Sequence, residues 1–113
     1  MKILHAETIG KMADGRLRGP GEIEVSSVST DTRTLEKGAL FIAIPGERFD
    51  GHDFVEEAVN KGAALVMVQE GKNIPEGIPA IFVQDTVKAL GKLAQNYRAL
   101  FDIPVIAVTG SVG

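Results

Sequence analysis

Apolar residues along this chain fall into short blocks, separated by glycine, proline and charged turns, and the blocks switch between a helical and a strand period. Over residues 6–13, Ala6, Ile9, Met12 and Ala13 share one side of a helix, and Gly15 follows as a stop. Residues 22–28 alternate between acidic and apolar side chains and predict a strand. Residues 39–44 form an apolar run too short for a helix and closed by Pro45-Gly46, so they predict a buried strand. A helix is predicted over 53–61, where Phe54, Val55, Ala58 and Val59 share a face and Gly62 occupies the C-terminal cap. Strands follow at 64–68 and, beyond the turn-rich stretch 71–79, at 80–83. Asp85 stands as N-cap of a long helix in which Val87, Leu90, Ala94, Tyr97 and Phe101 recur at three- and four-residue steps. A last strand, 104–108, runs into Thr109-Gly110-Ser111-Val112-Gly113.

Strands alternating with helices predict an α/β fold, a small mixed or parallel sheet flanked by helices, with right-handed crossovers where strands are parallel. The last strand differs from the others. It follows a long helix and ends in a glycine loop, as the first strand of a nucleotide-binding unit would. A boundary is therefore expected between Leu100 and Pro104: a domain over 1–100, then residues 101–113 as the first strand of a truncated P-loop ATPase domain.

Composition narrows the function classes. A chain of 113 residues suits one small domain, and its 44% hydrophobic content can build a core. No apolar run approaches the ~20 residues that span a bilayer, and the start Met1-Lys2-Ile3-Leu4-His5 lacks the pattern of a secretory signal. Cysteine is absent, which excludes disulfides, thiolate nucleophiles and Cys-based zinc sites and fits a cytoplasmic setting. The net charge of −3 is spread among mixed acids and bases. With no basic stripe, and only Tyr97 and five Phe as aromatic rings, a nucleic-acid surface is not expected. The two histidines, His5 and His52, have no metal-ligand spacing.

Three stretches carry chemistry. Ser29-Thr30-Asp31-Thr32-Arg33 follows a predicted strand, and its hydroxyls, carboxylate and guanidinium suit a polar ligand at a strand end. The same residues suit an ordinary Asx or Ser/Thr turn with a local Asp31–Arg33 contact. Gly46-Glu47-Arg48-Phe49-Asp50-Gly51-His52 precedes a helix. Its glycines permit close backbone approach, and Arg48 could fork onto a phosphate. The alternative is a plain strand-to-helix loop in which Asp50 or Asp53 caps the helix. The ending Thr109-Gly110-Ser111-Val112-Gly113 has the glycine content of a phosphate loop. However, Val108 stands where the strict pattern has glycine, and the Lys and Ser/Thr of that pattern would follow Gly113.

In order and spacing these stretches, with Gly38-Ala39-Leu40-Phe41-Ile42-Ala43, His52-Asp53-Phe54, Asp85-Thr86 and Ala89-Leu90-Gly91-Lys92-Leu93-Ala94, resemble the N-terminal domain of the Mur ligase family over nearly the whole chain. The family's nucleotide loop resembles Thr109–Gly113 and does not require glycine at 108. The Gly46–His52 loop resembles that of the members that add D-alanyl-D-alanine. The members that add diaminopimelate or lysine usually read differently there but share an Asp-Ser-Arg-like element, and they are the alternative within the family. A stand-alone binding module is the alternative of another class.

The resemblance implies an ATP-dependent amide ligase of three domains, using ATP and Mg2+ as a whole. Its substrates would be UDP-N-acetylmuramoyl-tripeptide and D-alanyl-D-alanine, joined through an acyl phosphate on the tripeptide carboxylate. It also implies that the stretches 29–33 and 46–52 contact the UDP-sugar and that 109–113 form part of the ATP loop. No catalytic residue and no metal ligand is expected within the 113 residues, which alone would be inactive and hold no cofactor. The apolar strand 104–108, without the neighbours of a central domain, is expected to self-associate between copies.

Overall fold

A computed structural model describes residues 3–46 and 48–96. In chain order its elements are β1 (Leu4–His5), α1 (Ala6–Met12), β2 (Arg16–Arg18), β3 (Glu24–Val25), β4 (Ser27–Ser29), β5 (Ala39–Ile42), a 3-10 turn (Gly51–Phe54), α2 (Val55–Asn60), β6 (Leu65–Gln69), β7 (Ala80–Val83) and α3 (Thr86–Asn96). The main sheet has the order β2-β7-β6-β5-β4. Strands β4 to β7 are mutually parallel, and β2 lies antiparallel along β7. The mixed, largely parallel sheet flanked by helices is the architecture expected from the alternation of periods.

Both faces of this sheet are covered, which explains why β5, β6 and β7 read as unbroken apolar runs. Side chains alternate between the faces along each strand. Leu40 and Ile42, Leu65 and Met67, and Ile81 and Val83 join Ala6 and Ile9 of α1 and Ala89 and Leu93 of α3. Phe41, Val66, Val68, Ala80 and Phe82 point the other way, towards Val55 and Ala58 of α2.

Several expectations are corrected. The strand over 22–28 is two strands. Glu24–Val25 pairs antiparallel with β1, and Ser27–Ser29 pairs parallel with β5. The chain changes sheet at Ser26, whose N–H donates to the Gly38 carbonyl (3.2 Å). Strands β1 and β2 carried no legible apolar signal. In β2, Arg16 and Arg18 flank Leu17 and lie over the Phe82 ring, with guanidinium carbons 4.6 and 5.3 Å from its centroid. Arg16 also grips Glu70 through two hydrogen bonds, and Arg18 donates to the carbonyls of Ile74, Pro75 and Ile78.

Helix α1 ends at Met12 with Ala13 as its C-cap, and the left-handed residue that follows is Asp14, at φ +56°, not Gly15. Gly15 is needed for close approach, because a Cβ there would lie 2.4 Å from Ile81 Cγ2.

Asp85 caps α3 as expected, accepting from the N–H groups of Val87 (2.9 Å) and Lys88 (3.1 Å). The buried stripe of α3 is Thr86, Ala89 and Leu93, with Leu90 partly buried, whereas Val87 is 54% exposed. The apolar stripe that includes Val87 is therefore rotated from the one that packs. Tyr97, Phe101, the strand 104–108, the loop Thr109–Gly113 and the boundary between Leu100 and Pro104 lie outside the described residues.

Candidate ligand-binding loops

Ser29 and Phe41 are register partners on the adjacent parallel strands β4 and β5. The two stretches singled out in the sequence therefore leave from the same, C-terminal edge of the sheet, the edge at which open α/β sheets bind ligands. Among the described residues no hydrogen bond joins one stretch to the other.

The first stretch is a compact turn. Ser29 Oγ accepts from the Asp31 N–H (3.1 Å) and donates to the Asp31 carbonyl (2.8 Å). Asp31 Oδ1 accepts from the Arg33 N–H (2.8 Å), and its carboxylate holds the Arg33 guanidinium, with the shortest contact 2.7 Å. Arg33, first through its side chain and then through its N–H, lowers the Asp31 carboxyl to about 2. Thr32 is buried and donates to Glu57 of α2 (2.5 Å), and Lys61 Nζ donates to the Thr32 carbonyl (3.2 Å). Thr30 is exposed. The polar groups of Asp31 and Arg33 thus largely satisfy each other, as the turn alternative expects.

The second stretch is a small hairpin closed by an antiparallel bridge between Pro45 and Asp50 and by a bond from the Gly51 N–H to the Ile44 carbonyl (2.9 Å). Gly51 allows this closure, since a Cβ there would stand 2.6 Å from the Ile44 nitrogen. At its tip Arg48 is exposed and makes no hydrogen bond or ion pair among the described residues. Phe49 is 70% exposed and meets Phe54 edge-on at 6.4 Å. Glu47 lies outside the described residues.

Asp50, not Asp53, caps the 3-10 turn, accepting from the His52 N–H (3.0 Å). It also accepts from His52 Nδ1 (2.6 Å) and Lys72 Nζ (3.2 Å). The His52 N–H and ring, with Lys72 behind them, lower the Asp50 carboxyl to about 2. His52 Nε2 accepts from the Gln69 N–H (3.0 Å), so the ring carries its proton on Nδ1.

Glu57, Lys61, Gln69 and Lys72 hold these loops and were missed in the sequence. Gln69, the one polar residue ending an apolar strand, was the only local signal. A depression of about 470 Å3 at the end of β7, lined by Asp14, Gln84, Asp85 and Lys88 among others, includes no residue of either loop.

The low carboxyls carry a pH prediction. In the folded chain Asp31 and Asp50 stay ionised below the ordinary carboxylate value of ~3.9, so the unfolded chain binds more protons between about pH 4 and pH 2. Their stabilisation is complete above that window and is lost as pH falls through it. Urea midpoints should therefore drop towards pH 2. Asp50→Asn should remove part of the slope and cost about 1–2 kcal/mol at neutral pH. A midpoint independent of pH below 4 would contradict the assignment.

Comparison with known proteins places this geometry in context. A family model described as "Mur ligase family, catalytic domain" matches residues 24–98. The UDP-N-acetylmuramoyl-tripeptide--D-alanyl-D-alanine ligase of Bacillus subtilis (strain 168) is 44% identical over 110 residues, covering 95% of this chain and 24% of that protein. A crystal structure of MurF from Acinetobacter baumannii superposes with a TM-score of 0.72 at 32% identity, over 83% of this chain and 21% of that one. The structure of MurF ligase from Thermotoga maritima in complex with ADP superposes with a TM-score of 0.55 at 32% identity, over 64% of this chain and 16% of that one. The chain spans about a fifth to a quarter of the length of the curated relatives it matches.

Proposed function

The chain belongs to the Mur ligase family, and from that premise we propose that it is the nucleotide-sugar-binding part of an ATP-dependent ligase that joins D-alanyl-D-alanine to UDP-N-acetylmuramoyl-tripeptide. The observation that carries the reading is the hairpin tip. It presents an exposed guanidinium without an ion-pair partner among the described residues, at the C-terminal edge of parallel strands, beside a second polar loop. On this reading Arg48 binds the diphosphate through charge-assisted bonds. Gly46, Phe49 and Gly51 bring backbone and ring surface against the ligand. Ser29, Thr30 and the Asp31–Arg33 pair offer hydroxyls and charge to the sugar and uridine. Thr32, Asp50 and His52 hold the two loops in shape.

The reading takes residues 1–100 as the sugar-binding unit and 101–113 as the start of the ATP-binding unit, in a cytoplasmic enzyme. Among the described residues no helix is long and apolar enough to cross a membrane, and no group of three or more His, Asp or Glu is placed to hold a metal ion. On the same reading Mg2+ accompanies ATP in the ATP-binding unit. When bound, ATP supplies the phosphoryl group that activates the tripeptide carboxylate; this chain binds and orients the other end of that substrate. A chain cut to residues 1–113 is proposed to self-associate through the apolar strand 104–108, which in the whole enzyme would pack within the ATP-binding unit.

Calorimetric titration of the intact ligase with UDP-N-acetylmuramoyl-tripeptide tests the assignment. Arg48→Ala is expected to weaken binding by about 1.5–3 kcal/mol. Equal affinities would make Arg48 an ordinary solvated hairpin residue. Consumption of diaminopimelate or lysine in place of D-alanyl-D-alanine would assign the sibling activity.

A further inference from the structure

A line of hydrogen bonds crosses the sheet edge and is not used by any ligand contact argued above. It begins at the hairpin, where Asp50 accepts from His52 Nδ1 (2.6 Å), and passes to β6, where His52 Nε2 accepts from the Gln69 N–H (3.0 Å). It ends on α3, where Gln69 Oε1 accepts from the N–H (3.3 Å) and hydroxyl (3.4 Å) of the fully buried Thr86. The His52 side chain is only 5% exposed. Both of its ring nitrogens are occupied, so it has no polar atom left for a nucleotide sugar.

The hairpin needs such a tie. Its own closure consists of one bridge and one backbone bond, and short hairpins are marginal by themselves. A buried ring with one donor and one acceptor nitrogen, in opposite directions, sets both the distance and the orientation of the hairpin relative to β6. Gln69 then uses its backbone towards the hairpin and its side chain towards α3.

We propose that His52 is a positioning residue: its imidazole pins the hairpin that carries Arg48 and Phe49 onto β6 at Gln69, and the Gln69 side chain extends the same tie to the first turn of α3. The consequence for binding rests on the reading of the hairpin as the nucleotide-sugar loop.

The test uses the intact ligase with His52→Leu and His52→Gln. Amide hydrogen exchange is followed by mass spectrometry over peptides 43–54 and 85–92, alongside steady-state kinetics with UDP-N-acetylmuramoyl-tripeptide varied. The leucine variant should speed exchange in both peptides by about tenfold or more. It should also raise KM for the nucleotide sugar by roughly tenfold, with the loss in KM rather than kcat. The glutamine variant, whose amide oxygen can stand where Nε2 accepts, should recover most of both effects.

Exchange unchanged in either peptide overturns the proposal, whatever the kinetics do. Faster exchange with an unaltered KM supports the positioning role and overturns the reading of the hairpin as the sugar loop. If the leucine variant does not fold, His52→Asn carries the same test, because it keeps a donor for Asp50 and has no acceptor in reach of Gln69.

Discussion

Phe41→Ala is expected to lower the free energy of unfolding by about 3–5 kcal/mol. The Phe41 ring is 1% exposed and belongs to the cluster on the α2 face of the sheet, with Val55, Ala58, Val66 and Val68. Its register partners are Ser29 on one side and Val66 on the other. Truncation removes apolar burial and also leaves a void, because a backbone paired on both sides can close only partly around it. The residues around the void also anchor α2, whose Glu57 and C-cap residue Lys61 hold the turn at Thr32. Urea unfolding of the variant measures the loss. A change under about 1.5 kcal/mol would mean that this face repacks freely and does not form a rigid base for the loops.

Leu93→Ala should cost about 2–5 kcal/mol, while Val87→Ala should stay within about 0.5 kcal/mol. The contrast tests which stripe of α3 is its core face. Leu93 is fully buried against the α1 side of the sheet, and Val87 is 54% exposed on the same helix. Paired thermal or urea melts of the two variants give the answer. A comparable loss at Val87 would show that α3 packs on the face its apolar periodicity suggests.

The reason periodicity misled at Val87 lies in the first turn. Thr86 is fully buried with its N–H and hydroxyl turned to the Gln69 side chain. That bond pulls a polar residue inward and rotates the neighbouring valine out. Hydrophobicity alone cannot anticipate a buried threonine whose partner lies 17 residues earlier in the chain. The same limit applies to β2. Arg16-Leu17-Arg18 reads as a polar turn until Phe82 and Glu70 are brought beside it to take the guanidinium groups.

The features legible in the sequence were those whose cause is local. Residues 39–42, 65–69 and 80–83 are strands because they are short, apolar and bounded by turn residues, and both of their faces are buried. Asp85 starts a helix because its own carboxylate reaches the N–H groups two and three positions on. The loops at 29–33 and 46–52 stood out through their glycines, hydroxyls and charges, and the family resemblance came from their order along the chain. Tertiary structure decided what depends on a distant partner. It split residues 22–28 between two sheets at Ser26, because each half met a different neighbouring strand. It brought the two loops to one sheet edge, left Arg48 exposed, and buried His52 between Asp50 and Gln69. A side chain's type sets which bonds it can make, but only the fold supplies the partner, and that partner determines whether the side chain faces a ligand or holds the loop in place.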